Sequence, residues 1–188
     1  TRMHVVDPEI TNCKFEGSAG DAFQIINGLV NDVTFLLSHL TSADFSRTKF
    51  YNCNFDKSSL SGALFHKTAL SNTSFVETLL PNADFADSLF EDTGAIYAHF
   101  TGSLFDRSTL SGVTMEGSDL SNAMFRHASL THCAFIGCEW EGTSFKNATL
   151  RNCSFSTSVG KAHKDLCHAL AEASSLTSVT VNGEIIGQ

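Results

Sequence analysis

His127, His132, Cys133 and Cys138 lie close together in the chain and are of the types that bind zinc through nitrogen and sulfur. Cys167 and His168 adjoin each other and are the residue types of a nucleophile and its base. Cys133 and Cys153 are a further pair, candidates for a disulfide. Each of these chemistries requires atoms to converge on one point. The sequence has no CxxC pair, no Gly-rich phosphate loop and no GxSxG. Whether any of the three can operate depends on the elements that carry these side chains.

Those elements follow a period of five. From Phe35 to Phe155 every fifth residue is large and apolar, as in Phe45, Phe50, Phe55, Leu60 and Phe65, with the single exception of Ala95. Two positions before each of these centres stands a small residue, from Val33, Ser38 and Ala43 to Ala148 and Cys153. The other three positions are mostly polar. A helix repeats every 3.6 residues and a strand every 2, so neither sustains this pattern. The sixteen Phe and two Pro of the 188 residues are a consequence of the repeat.

Ala83-Asp84-Phe85-Ala86-Asp87 and Ser118-Asp119-Leu120-Ser121-Asn122 carry the unit in full, and Ala43-Asp44-Phe45-Ser46-Arg47 and Ala63-Leu64-Phe65-His66-Lys67 carry it loosely. Over residues 33–157 the chain thereby resembles the pentapeptide-repeat family. The resemblance implies an all-β fold, a right-handed quadrilateral β-helix in which four repeats make a coil, the centre and the small residue point inward, and the other three point out. Residues twenty apart then stack, as in the column Phe45, Phe65, Phe85, Phe105, Phe125 and Phe145. At the strand spacing of about 4.8 Å such rings stack with an offset, and six coils and part of a seventh extend about 30 Å. Burial of about 2 kcal/mol per large side chain makes the inner columns the main source of stability. Ala95 leaves a shortfall that a narrowed coil or a neighbouring side chain must make up.

The same register decides the chemistry. Cys133 and Cys138 occupy inward slots whereas His127 and His132 point outward, which opposes a zinc site. Cys133 and Cys153 stack within disulfide distance, but with parallel Cβ vectors they are expected as free thiols. Adjacent helix positions diverge by about 100°, so Cys167 and His168 do not face each other; Cys167 is expected in the cap and His168 in solvent. No catalytic residue, metal or cofactor is expected. The six cysteines read as free, mostly buried thiols of a reducing compartment.

At the ends the pattern changes. Residues 1–32 fit the register in part, with Gly20 at a centre and Phe23 in a small slot, and are expected to form an N-terminal cap with irregular first coils. Over 158–188 a C-terminal cap is expected: Val159, Ala162, Leu166, Leu170 and Ala173 recur at helical spacing, predicting a helix over 159–173 that closes the open end. Asn182-Gly183 then predicts a hairpin between Val179-Thr180-Val181 and Glu184-Ile185-Ile186.

The formal charge of −8 argues against a nucleic-acid partner, and the sequence has neither a signal peptide nor a span that implies a membrane. The chain opens on Thr1, which suggests a trimmed fragment. Between Val76 and Asp119 the acids Glu77, Asp84, Asp87, Glu91, Asp92, Asp106, Glu116 and Asp119 face only Arg107, an electronegative belt suited to a basic partner. On the strip after the Phe75 column, Val76, Leu79, Ile96 and Tyr97 predict an exposed apolar cluster with His99 beside it, rimmed by Glu77, Glu116 and Asp119. An aromatic anchor inside a polar rim is the anatomy of a protein-binding hot spot.

Two roles follow from resemblance. Some pentapeptide-repeat proteins bind DNA gyrase as mimics of duplex DNA, using lines of carboxylates. Here the corresponding column reads Asp44, Leu64, Asp84, Leu104, Met124, Ser144, which fits poorly. Asn12-Cys13-Lys14-Phe15, Asn52-Cys53-Asn54-Phe55 and Asn152-Cys153-Ser154-Phe155 instead are similar to solenoid domains that precede the HECT-like lobes of ubiquitin ligases injected by enteric bacteria. The expectation is a non-catalytic scaffold that recognises a host protein, located in the bacterial cytoplasm or secreted into a host cell.

Overall fold

The computed structural model describes residues 3–20, 23–157 and 160–187. Its repeating unit is a corner. At every described fifth position from Asp7 to Asn152 the backbone is left-handed, with φ between 47° and 69°. About half of the described corners are closed by a bond such as Ser38 N–H to the Phe35 carbonyl at 3.1 Å. Left-handed backbone strains most L-residues and least Gly, Asn and Asp, which is why these three types fill most corners.

Four corners turn the chain through one coil, and the coils pair in parallel with a shift of twenty residues: His4 with Gln24, Leu70 with Phe90, Met115 with Phe135. The result is a right-handed quadrilateral β-solenoid with four faces, centred in one coil on Phe85, Phe90, Ala95 and Phe100 and hereafter called first to fourth. The second face is a nine-stranded sheet running from Glu9–Thr11 to Ser175–Thr177, and the third a six-stranded sheet from Gly94–Ile96 to Glu184–Ile185. Eight steps of about 4.8 Å give a rod about 38 Å long.

The interior is a set of stacked rings. Along the first face the centroids of Phe45, Phe65, Phe85, Phe105, Phe125 and Phe145 follow each other at 5.1, 4.7, 5.0, 4.6 and 4.9 Å. The small residue beside each ring has a second duty. Where it is Ser or Thr, its hydroxyl commonly donates to the carbonyl of the centre twenty-three residues back, as from Ser58 to Phe35 at 2.6 Å, Thr78 to Phe55 at 2.9 Å and Thr143 to Leu120 at 2.7 Å, or to that of its own coil, as from Ser108 to Phe105 at 2.6 Å. Buried hydroxyls are thereby satisfied inside an apolar wall.

Ala95 is buried and keeps its pairing with Met115. The coil below reads Phe65, Leu70, Phe75 and Leu80, whereas this one carries Phe90 and Phe100 where that one has leucines. The Phe100 ring lies 6.1 Å from Phe85 and 5.5 Å from Phe105, so larger side chains flank the small one.

A similar pairing of small and large side chains marks the start of the chain. Gly20 leaves space at a centre, and Phe23 fills it from a small slot, 5.8 Å from Phe15 and 6.2 Å from Phe35. The strands of the first two coils pair in the twenty-residue register, His4–Val6 with Gln24–Ile26 and Glu9–Thr11 with Leu29–Asn31. Only their burial differs: Val5, Ile10 and Phe15 are half-buried, while Ile25, Val30 and Phe35 are buried.

At the other end the helix α1 (Lys161–Ala171) turns Leu166, Ala169 and Leu170 onto the core. It replaces one stretch of coil, because Leu150 and Phe155 next pair with Leu176 and Val181, twenty-six residues on. The Asn182-Gly183 turn then folds Glu184–Ile185 antiparallel onto Thr180–Val181, as its sequence predicts. Val159 lies outside the described residues.

Candidate protein-binding surface

The eight residues singled out on the third and fourth faces occupy three successive coils. Glu77 N–H donates to Ile96 O at 2.8 Å and Tyr97 N–H to Glu116 O at 2.7 Å, and Leu79, His99 and Asp119 bridge in one column. Tyr97 is 57% exposed and Leu79 46%; Val76 and Ile96 are half-buried. Tyr97 is a bulky residue at a left-handed corner, with φ of 54°. Its ring does not fold back toward Gly94, where an added Cβ would meet nothing. It reaches forward onto Gly117 of the next coil, where a Cβ would collide with ring carbons Cδ1 and Cε1. Gly117 thus holds the ring flat against the wall.

The rim is anchored. Asp119 loses some solvation by burial, yet bonds from the Ser121 N–H at 2.9 Å and the Thr101 hydroxyl at 2.7 Å hold its carboxyl below the ordinary range. Lys57 stands 3.9 Å from Glu77. Asp56 lies beneath the patch, accepting from Val76 N–H at 2.8 Å and the Ser74 hydroxyl at 2.6 Å. Beyond Glu116 the same column presents Ile136, an exposed apolar residue that the sequence reading did not include. The twenty-residue step from Glu116 would have found it.

The acidic belt is broken on the first face. Arg107 makes two bonds to Asp87, at 2.7 and 2.9 Å, and holds its carboxyl below the ordinary range. Arg126, from outside the belt, takes Asp106 through Nε at 3.0 Å. The other members are spread over all four faces. The column Asp44, Leu64, Asp84, Leu104, Met124, Ser144 exists as expected. The carboxylates of Asp44 and Asp84, however, turn back to accept from Ser46 and Ala86 N–H, each at 2.9 Å.

Nor do the zinc-type side chains converge. His127 lies by Asn147 at 3.5 Å and His132 by Asn152 at 3.1 Å, at different corners, while Cys133 and Cys138 are buried on different faces. Burial pushes the thiols of Cys53 and Cys138 up to about 11. Contact with Cys153, together with burial, pushes Cys133 up as well. Cys133 and Cys153 are unbridged and donate to the carbonyls of Leu110 and Leu130 at 3.5 Å. Cys13 and Cys167 are exposed. Cys167 was expected inside the cap, but Leu166 and Leu170 claim the inner stripe of α1 and turn it outward. Its neighbour there is His163, 3.6 Å away one helical turn back, rather than His168.

Comparison with known proteins places this geometry. Residues 39–120 match the profile described as pentapeptide repeat region, and residues 123–159 the profile described as pentapeptide repeats (8 copies). Among solved structures the chain is similar to full-length QnrB1, a plasmid-mediated fluoroquinolone resistance protein, with 15% identity, 93% of each chain covered and a TM-score of 0.52. It is also similar to HetL of the cyanobacterium Nostoc sp. strain PCC 7120, a pentapeptide repeat protein involved in heterocyst differentiation regulation. That match has 18% identity and a TM-score of 0.44, and covers 99% of this chain and 86% of the other. No curated protein matches the chain.

Proposed function

Because this chain belongs to the pentapeptide-repeat family, we propose that it is a non-catalytic scaffold that recognises a protein through the Tyr97 surface. The observation that supports this reading is the anchored aromatic. Tyr97 is more than half exposed in a strained corner, is held by a glycine on the next coil, and has Leu79 and Ile96 beside it inside a rim of Glu77, Glu116 and Asp119. A rigid ring presented on a rigid wall loses little entropy on binding.

The finer reading is a host protein as partner, with this chain the recognition module of a secreted bacterial effector. It rests on the Asn-Cys-x-Phe style of repeat. A gyrase-binding DNA mimic is supported less, since the carboxylates of its column are interrupted by Leu64, Leu104 and Met124 and turned onto their own backbone.

The test pairs Ile96→Asp with Tyr97→Ala and uses the double variant and the parent chain as baits in host and bacterial lysates. A host protein held by the parent and lost by the variant, with stability lowered by less than about 2 kcal/mol, is the expected result. Recovery of gyrase would favour the mimic. Equal retention by both baits would place the interface elsewhere.

A further inference from the structure

The first face differs from the other three in charge. In a chain of formal charge −8, its outward residues between Asp44 and Asn147 carry Arg47, Lys67, Arg107, Arg126 and Lys146 against four carboxylates. All four carboxylates are engaged within the face, Asp44 and Asp84 by backbone N–H groups and Asp87 and Asp106 by the arginines. Arg47, Lys67 and Lys146 project into solvent. The fourth face, by contrast, carries Asp119, Glu139 and Glu141, with Lys161 of α1 paired to Glu141 at 2.6 Å. Beside the basic edge runs an apolar column: Leu64, 40% exposed, then half-buried Leu104 and Met124, bridged coil to coil through Asp84, whose carboxylate is turned onto its own backbone beside the buried Ala86. Glu172 closes the strip at its upper end, bonded to the Ser144 hydroxyl at 2.6 Å.

We propose that this strip and its basic edge form a docking surface for an acidic amphipathic helix laid along the solenoid axis. Sign follows from the edge: the anions of the face are already used, so the projecting cations seek carboxylates from outside. Shape follows from spacing. Coils rise about 4.8 Å and a helix about 5.4 Å per turn, so over the three steps from Leu64 to Met124 the two drift apart by only about 2 Å. A strand presents same-side residues about 6.8 Å apart and would fall out of step by more than a coil over that length. The partner helix carries apolar residues at i, i+4, i+7 and i+11 with Glu or Asp along one flank. This surface lies on a different face from Tyr97 and does not rest on its role.

The probe is a fluorescein-labelled peptide of about 18 residues with Leu at i, i+4, i+7 and i+11 and Glu on one flank, beside a twin with Lys for Glu. Fluorescence anisotropy with the full chain is expected to show saturable binding of the Glu peptide and none of the Lys twin. Lys67→Glu with Lys146→Glu should weaken it about tenfold, as should Leu104→Ser with Met124→Ser. Raising salt should weaken it too. The Ile96→Asp, Tyr97→Ala variant should bind the peptide unchanged. Equal binding of the two peptides, indifference to the first-face substitutions, or no saturation of the Glu peptide would overturn the proposal. So would co-sedimentation with phosphatidylserine vesicles by a chain that ignores the peptide.

Discussion

A thiol in the wall of this solenoid behaves as a hydroxyl would: Cys138 donates to Met115 O at 3.3 Å, the bond that Ser118 makes to Ala95 at 2.9 Å. Burial that pushes such a thiol up to about 11 also removes the thiolate that reagents attack. Under native conditions at pH 7.5 an aromatic disulfide reagent should therefore modify Cys13 and Cys167 rapidly and the four buried cysteines only on unfolding; a fast phase of more than two thiols per chain would contradict the placement. The small slot was legible in sequence as a lack of room, but not as a hydrogen-bonding position. Ser, Thr, Cys and Ala all meet the size limit, and only the three-dimensional turn brings the carbonyl of the preceding coil within reach. The corner was similarly hidden. Asn, Asp and Gly at the fifth position look merely polar until their common left-handed φ shows why Leu37 and Tyr97 are the exceptions that carry exposed apolar bulk.

At the scale of a coil, stacking makes each centre depend on its neighbours above and below. Phe85→Asp would set a carboxylate between the rings of Phe65 and Phe105, 4.7 and 5.0 Å away, and should cost several kcal/mol in thermal melts. Asp84→Ala, one position away, gives up only a bond to Ala86 N–H and should cost about 0.5–1 kcal/mol. Equal losses would refute the inward and outward assignment. Ala95→Leu should destabilise by about 1–3 kcal/mol, because Phe90 and Phe100 flank it in a close-packed coil that an added side chain would overfill; a rise in melting temperature would refute that account. The middle coils and the helix could be read from residue periodicity, and the hairpin from its Asn-Gly turn, because nearly every side chain there obeys the local rule, Ala95 and Cys167 apart. The first coils could not, since Gly20 and Phe23 each break the rule singly and satisfy it as a pair, which a position-by-position reading does not see.

For the whole molecule the twenty-residue step turns a sequence into a map of columns. The Tyr97 cluster was legible because its members are twenty apart, and Ile136 belonged to it by the same step. The first-face basic edge was not, since its cations are scattered among acids in sequence and sorted from them only by pairing of Arg107 with Asp87 and Arg126 with Asp106. What holds this sorting in place is the phase of the coil, and that phase makes the rod tolerant of some changes of length and intolerant of others. Losing twenty residues between corners would shorten the rod by one strand spacing, about 4.8 Å, and leave every column aligned. Losing five would keep each ring inward yet rotate all that follows by a quarter turn, carrying the Lys146 end of one surface out of line with its Lys67 end. A change of twenty residues can therefore alter the length of the rod in discrete increments without altering the bearing of one coil to the next, and a change of five can turn that bearing by a right angle without disturbing the core.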